Sequence, residues 1–194
     1  MPATPPTRPA LRERYDRRQE ALVAAAAREF AARGYDQTTM AQLARATGLA
    51  TGALYHYFGS KEQLLRSICD QLMEPLLEQV VQLRSEAPEA TPAQRLGRLV
   101  RLWVQHVCVH RDHMLVFQQE RHQIESGERW RGVRASRKRF ERLVAAELNA
   151  AGAGGPLPLL ALLGMVNHTA QWYRPRGALT PEQIADGYVS LVLG

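Results

Sequence analysis

The sequence predicts an all-α protein, in which an N-terminal three-helix helix-turn-helix domain precedes a C-terminal helical domain. Ala and Leu dominate the composition while β-branched residues are scarce, which favours helix over strand. Apolar residues recur at helical spacing between capping residues, and no stretch shows the alternation typical of strands. The chain has 194 residues, 45% of them hydrophobic, which suffices for one core shared by two modules.

The chain begins with a proline-rich segment, and the first predicted helix follows it. Residues 1–13 contain four prolines and two arginines, which predicts a disordered basic arm. We expect the first helix over Arg14–Arg33, where Leu22 and Phe30 lie on one face. Gly34 is suited to end this helix because glycine adopts the backbone angles of a C-terminal cap without strain.

Two short helices and a turn come next. Thr39 is placed to cap a helix over Met40–Ala46, and Gly48 suits a left-handed position in the turn after it. A second short helix is expected over Thr51–Phe58. Ser60 then caps a long helix that reaches about residue 84, with a kink near its proline. Two short helices joined by a tight turn form the helix-turn-helix plan.

Five more helical segments are expected in the rest of the chain, separated by breaks that contain Pro or Gly. They cover Pro92–Val109, 112–126, 128–151, Leu159–Tyr173 and Pro181–Leu193. The fourth segment is apolar on nearly all sides, so it must be buried. The last segment adds an apolar face made of Ile184, Tyr188, Val189, Leu191 and Val192. We therefore expect a twofold four-helix interface and a homodimer.

Charge and motifs narrow the classes of function. The net charge of +6 and the pI of about 9.8 are compatible with nucleic acid, anionic membranes and polyanionic ligands. No segment reaches the roughly 18 apolar residues of a membrane span, and residues 1–9 lack the apolar core of a signal peptide. We expect a soluble, cytoplasmic protein without a membrane partner. Without a phosphate-binding loop, nucleophile elbow or HExxH motif, we predict neither an enzyme nor a cofactor.

A pattern longer than the helix-turn-helix extends from Phe30, Gly34 and Tyr35 onward. It reads Thr39-Met40-x-x-Leu43-Ala44-x-x-Thr47-Gly48-Leu49-x-Thr51-Gly52-x-Leu54-Tyr55-x-Tyr57-Phe58-x-Ser60-Lys61-Glu62-x-Leu64-Leu65. Over residues 18–66 the chain closely resembles the N-terminal signature of the TetR family of transcriptional regulators. The resemblance implies a DNA-binding domain over residues 14–66 and an effector-binding and dimerisation domain over residues 67–194. It further implies a repressor that a small molecule releases from its operator.

By similarity to the family, the helix Thr51–Phe58 enters the major groove of a palindromic double-stranded operator. The residues expected to contact DNA are Thr39, Thr51, Gly52, Ala53, Tyr55, His56, Tyr57 and Lys61. Tyr57 and Lys61 resemble phosphate contacts, although each also fits a second role, Tyr57 as a packing residue and Lys61 as a solvated charge. The set has no Arg, Asn or Gln, so we expect specificity from thymine methyl groups, His56 and DNA shape.

The resemblance also implies an effector pocket in the C-terminal domain. The residues expected to line it are Trp103, His106, His110, Phe117, Trp130, Arg134, Arg137, Phe140, Asn167, Trp172 and Tyr173. Aromatic rings with a few polar groups fit a largely apolar ligand, but they fit an ordinary core equally well. His106 and His110 are four residues apart without a matching Cys or carboxylate, so we predict no metal site.

Two features suggest the chemistry of the effector. Residues 167–186 resemble the C-terminal end of TetR-type regulators of fatty-acid, sterol or phenylacetate breakdown, several of which sense acyl-CoA thioesters. A basic run could grip the phosphates of CoA or form a solvated helix face, and consists of Arg129, Arg131, Arg134, Arg137, Lys138 and Arg139. Our hypothesis is an acyl-CoA effector, and the alternative is another apolar small molecule such as a drug or aromatic compound.

Overall fold

The structure is a computed structural model that describes residues 7–86 and 89–194, apart from the side chain of Arg84. Within these residues the chain forms ten α-helices, one 3-10 turn and no strand, which confirms the predicted fold class. The helices are α1 Pro9–Arg33, α2 Met40–Thr47, α3 Thr51–Phe58, α4 Lys61–Glu86, α5 Pro92–Val109, α6 Arg111–Gln119, α7 Arg121–Ser126, α8 Arg131–Ala150, α9 Pro156–Trp172 and α10 Pro181–Leu193.

Side-chain caps fix several helix starts at the predicted positions. Thr39, Thr91 and Thr180 each accept a hydrogen bond from the backbone N–H three residues later, where a Gln side chain returns the contact. These capping boxes satisfy backbone N–H groups that have no partner within the helix. As a result α2, α5 and α10 begin where the sequence predicts, and α3 matches its predicted bounds at both ends.

The first helix begins five residues earlier than predicted, at Pro9 instead of Arg14. Residues 1–6 of the predicted disordered arm lie outside the described residues, but α1 already begins at Pro9, so residues 9–13 are helical. Proline is tolerated at the first helical position because its missing N–H would have no partner there. The Arg12–Asp16 and Glu13–Arg17 ion pairs, each one turn apart, also favour this extension.

Three other boundaries differ from the prediction. The segment over 112–126 consists of two helices, α6 and α7, that meet at Glu120. The segment over 128–151 begins with a 3-10 turn, Glu128–Trp130, before α8. Helix α9 starts at Pro156 instead of residue 159, again with proline in its first turn. These differences shift helix ends without changing the order of the elements.

One hydrophobic core runs through the molecule. Helix α4 continues without interruption across the predicted domain boundary at residue 66, and α6 packs against α1, α4 and α9. A nearly buried ion pair joins α5 to α8, with Arg95 Nε 3.0 Å from Glu147 Oε2. The division into two domains stays a prediction. Among the described helices, none combines the length and apolarity needed to cross a lipid bilayer.

Candidate DNA interface and ligand cavity

The turn between α2 and α3 orients the predicted recognition helix. Gly48 adopts left-handed backbone angles, with φ 68° and ψ 24°, as predicted for this position. The N–H of Leu49 donates to the carbonyl of Ala44 at 2.9 Å, which closes the turn. Leu54 and Phe58 of α3 are buried in the core. Because these two residues fix the inner face of α3, its other face points away from the protein.

The outer face of α3 is accessible. Thr51, Gly52 and His56 are exposed, and Tyr55 is 46% exposed despite its large apolar ring. Ala53 is half-buried. A Cβ atom built at Gly52 would meet no atom within 4 Å, so the space outside the start of α3 is open. This shape and these residue types fit a helix that approaches a DNA groove.

Tyr57 packs against α1. Its ring stacks on that of Tyr15, with centroids 5.1 Å apart and 23° between the ring planes. The sequence did not predict this contact, because Tyr15 and Tyr57 are far apart in the chain and belong to different helices. Burial raises the pKa of the Tyr15 hydroxyl, and so, to a smaller extent, does the neighbouring Tyr57. Helix α1 therefore holds Tyr57 in place, while the contact of Tyr57 with phosphate stays a prediction.

Lys61 is half-buried and binds other parts of the protein. Its Nζ donates to the carbonyl of Tyr35 at 3.0 Å and to the carbonyl of Thr38 at 3.2 Å, and lies 4.2 Å from the centre of the Tyr35 ring. Two of its three N–H donors are thus used to tie the start of α4 to the α1–α2 loop. Thr39 is exposed and caps α2 as predicted. The phosphate contacts of Thr39 and Lys61 stay predictions.

A cavity of about 420 Å³ lies in the C-terminal part of the structure. Helices α4 to α9 contribute to its walls, which are mostly apolar. The lining residues are Leu72, Met73, Leu76, Trp103, Met114, Phe117, Gln118, Arg121, Arg137, Phe140, Glu141, Leu160, Leu163, Gly164, Asn167 and His168. Trp103 meets Phe140 edge to face, with ring centroids 4.8 Å apart. A cavity of this volume and composition is typical of small-molecule sites.

Charged groups concentrate at one part of the wall. Arg137 Nη1 donates to Glu125 Oε1 at 2.5 Å, and the same carboxylate oxygen is 3.2 Å from Arg121 Nε. The hydrogen bond from Arg137, followed by that from Arg121, lowers the pKa of Glu125. Arg137 Nε is buried 3.4 Å from Glu141 Oε1 and has no hydrogen-bond acceptor among the described residues. The Arg137 guanidinium is thus held at the cavity wall by two carboxylates, those of Glu125 and Glu141.

Of the eleven residues expected to line the pocket, five line this cavity, namely Trp103, Phe117, Arg137, Phe140 and Asn167. The other six lie outside the lining, for different reasons. Trp130 is buried in the core, and Arg134 donates to the carbonyls of Ile124 and Gly127, where it holds the turn before α8. Trp172 is 41% exposed at the end of α9, Tyr173 follows it, and His106 and His110 belong to a histidine cluster.

The histidine cluster is part of the core. His106 Nε2 is 2.7 Å from the carbonyl oxygen of Leu72, so the neutral ring donates to it. His110 lies between His106 and His113, with ring centroids 4.4 and 5.3 Å away. Burial lowers the pKa of His106 and of His113 to about 4, and the neighbouring His110 adds to both shifts. These rings are neutral near pH 7 and act as packing and hydrogen-bonding groups.

The sequence missed most of the cavity wall. Leu72, Met73 and Leu76 come from α4, in which the sequence predicted no ligand-binding residue. Leu160 and Leu163 were assigned to the dimer helix, yet both also border the cavity. Helical spacing shows that residues share a face, but not which neighbouring helix that face meets.

Most residues of the predicted basic run lie outside the cavity lining. Arg129 pairs with Glu62 of α4 at 2.7 Å, and Arg131 pairs with Glu128. Lys138 and Arg139 are exposed on α8, outside the cavity lining. Arg137 is the member of this run that reaches the cavity, so a ligand would meet one arginine from it together with Arg121 of α7.

Comparisons with known proteins agree over nearly the whole chain. The family model described as bacterial regulatory proteins, tetR family, matches residues 22–68, and that described as tetracyclin repressor-like, C-terminal domain, matches residues 89–194. The HTH-type transcriptional repressor KstR2 of Mycobacterium tuberculosis is 29% identical over 92% of each chain.

Two solved structures share the fold. The ketosteroid transcriptional regulator KstR2 of Mycobacterium tuberculosis superposes with a TM-score of 0.79 at 26% identity, over 91% of this chain and 93% of that one. AibR, solved in complex with isovaleryl coenzyme A and operator DNA, superposes with a TM-score of 0.74 at 30% identity, over 91% and 98% of the two chains.

Proposed function

Because this chain belongs to the TetR family of bacterial transcriptional regulators, we propose that it is a homodimeric repressor that a small-molecule effector releases from a palindromic operator. The observation that supports DNA binding most strongly is the outer face of α3. Its polar and aromatic side chains are exposed beside a tight turn, while the inner face is locked into the core. Thr51, Gly52, Ala53, Tyr55 and His56 face the bases, and Tyr57, with Thr39, contacts the phosphates.

The proposed dimer forms through α9 and α10. Leu157 and Leu160 of α9 are 76% and 62% exposed, and Leu191 of α10 is 74% exposed. Apolar side chains clustered on two adjacent helices are costly to leave in water, and a second copy covers them with the same surface. Such a twofold arrangement places the two α3 helices about 34 Å apart, which is one turn of DNA. Light scattering that finds only the 21.8 kDa monomer at micromolar concentration contradicts this part.

The proposed effector is an acyl-CoA thioester held in the cavity. The apolar wall suits an acyl group, and the positive charge of Arg137 at the wall suits a carbonyl or phosphate oxygen. The relative AibR was solved with isovaleryl coenzyme A, which adds support. An apolar drug or aromatic compound is the second candidate, since apolar residues make up most of the cavity wall.

Helix α6 provides the connection between the cavity and the DNA-binding part. Its residues Met114, Phe117 and Gln118 line the cavity, and the next residue, Gln119, donates to the carbonyl of Ala31 in α1 at 3.3 Å. A ligand that binds better when α6 has shifted favours that conformation. Because α1 packs against both α6 and α2, the shift moves the two recognition helices away from the spacing that the operator requires.

The test uses duplex DNA selected from a random pool by the purified protein. Fluorescence anisotropy follows complex formation, and CoA thioesters from acetyl to dodecanoyl, isovaleryl-CoA, phenylacetyl-CoA and a panel of aromatic drugs are then added. Free CoA and the free acids are the controls. Release by a thioester but not by its parts supports the acyl-CoA effector. If no DNA is selected, the repressor proposal fails; if DNA binds but no thioester releases it, only the effector proposal fails.

A further inference from the structure

The backbone conformation of α9 does not require glycine at position 164. It lies in the middle of this helix, and it is not among the glycines that adopt a positive φ. Glycine is a poor residue for a helix interior because it loses more conformational freedom than alanine does. A side chain at this position would therefore favour the helix, so the absence of one calls for a reason outside it.

The surroundings of Gly164 supply that reason. A Cβ atom built there would meet no atom within 4 Å, so close packing does not exclude a larger residue. Leu160, Asn167 and His168 also line the cavity, and they lie three or four residues away on the same face of α9. Gly164 thus occupies the centre of the α9 wall on the exposed side of the cavity, between Leu160 and His168, and its missing side chain leaves open the space in front of it.

We infer that Gly164 determines the size of the ligand that the cavity accepts. This inference rests on the proposed function in that it takes the cavity to be the effector site. With glycine at the centre of the wall, the acyl or other apolar part of the ligand lies directly against the backbone of α9. Each carbon added at position 164 removes room for about one carbon of the ligand, so larger side chains shift the preference towards shorter ligands.

The test compares Gly164→Ala and Gly164→Leu with the wild type, and uses Gly97→Ala as a matched control. Gly97 is also an interior helical glycine with open space at its Cβ, but it lies in α5 outside the cavity lining. Calorimetry measures binding of straight-chain CoA thioesters from acetyl to dodecanoyl, and of 8-anilinonaphthalene-1-sulfonate, an apolar anion without a CoA group. Thermal unfolding and light scattering show whether each variant folds and keeps the oligomeric state of the wild type.

We expect Gly164→Ala to bind the wild type's best thioester about fourfold more weakly, which corresponds to ~0.8 kcal/mol for one methylene, while shorter thioesters bind as before. Gly164→Leu loses at least tenfold for the same thioester and for the dye, and its optimum moves to a shorter chain. Gly97→Ala keeps the wild-type profile. A wild-type chain-length profile in both Gly164 variants overturns the inference, as does a loss of dimer with unchanged ligand affinities.

The dye separates this inference from the proposed function. If no thioester binds the wild-type protein, the acyl-CoA proposal fails, but the cavity is still probed by the dye. A tenfold weaker binding of the dye to Gly164→Leu then supports the role of Gly164. Equal affinity of the dye for Gly164→Leu and the wild type, or no binding of the dye to the wild type either, overturns it.

Discussion

Replacing Lys61 by Met separates a structural role for this residue from a contact with DNA phosphate. The variant keeps an unbranched apolar stem but loses the ammonium, which donates to the carbonyls of Tyr35 and Thr38 and lies over the Tyr35 ring. A buried hydrogen bond from a charged group contributes about 1.5–3 kcal/mol, and an exposed cation–π contact ~0.5–1 kcal/mol. Lys61 is only half-buried, so we reduce the sum to about 2 kcal/mol.

A loss of about 2 kcal/mol lowers the Tm of a protein of this size by roughly 4–8 °C. Urea unfolding and a thermal scan measure it, with Lys138→Met as the control because Lys138 is exposed on α8 and carries the same charge. If Lys61 only contacts DNA phosphate, the opposite pattern is expected. Stability then stays within about 0.5 kcal/mol of the Lys138→Met variant, while the slope of log affinity against log salt becomes shallower by about 1.8, because each dimer carries two copies of Lys61. That pattern refutes the structural role.

Two further predictions concern the cavity and the histidine cluster. Arg137→Met is expected to weaken the binding of a CoA thioester by at least tenfold in calorimetry, because it removes a charge-assisted donor from the cavity wall. Arg139→Met, at an exposed position outside the cavity, is the control and should have little effect. Equal affinities for the two variants contradict this prediction. The pKa of His106 is about 4 in the folded protein, against 6.5 for an unperturbed His, so the unfolded chain binds the proton more readily between these values. The contribution of His106 to stability is therefore complete above pH 6.5 and is lost as the pH falls towards 4, by about 2–3 kcal/mol. His106→Gln retains a donor for the Leu72 carbonyl and should lose less unfolding free energy than the wild type between pH 7 and pH 4.5, as measured by urea unfolding. Equal losses in the two proteins would show that the ring does not titrate as described.

Local chemistry made the DNA-binding part predictable from the sequence. The cap at Thr39 and the left-handed turn at Gly48 act over three or four residues, so their effects can be read directly from neighbouring letters. The same approach failed at Pro9, where a proline that seemed to favour disorder begins a helix.

The cavity and the partner of Lys61 depend on contacts between distant parts of the chain. Leu72 and Asn167 border the same space although 95 positions separate them, and Lys61 meets the Tyr35 carbonyl across 26 positions. Aromatic composition selected Trp103 and Phe117, which line the cavity, and for the same reason Trp130, which is buried elsewhere. Gly164 was missed because a residue without a side chain gives no periodic signal.

The central claim is that the outer face of α3 reads DNA. Its most direct test is the selection of duplexes from a random pool by the wild-type protein and by a Tyr55→Ala/His56→Ala variant. Both residues are exposed, so the variant should unfold at the same urea concentration as the wild type. We predict that the wild type enriches an inverted repeat and that the variant, although folded, enriches none. Enrichment of the same repeat by both proteins would show that another surface recognises the DNA.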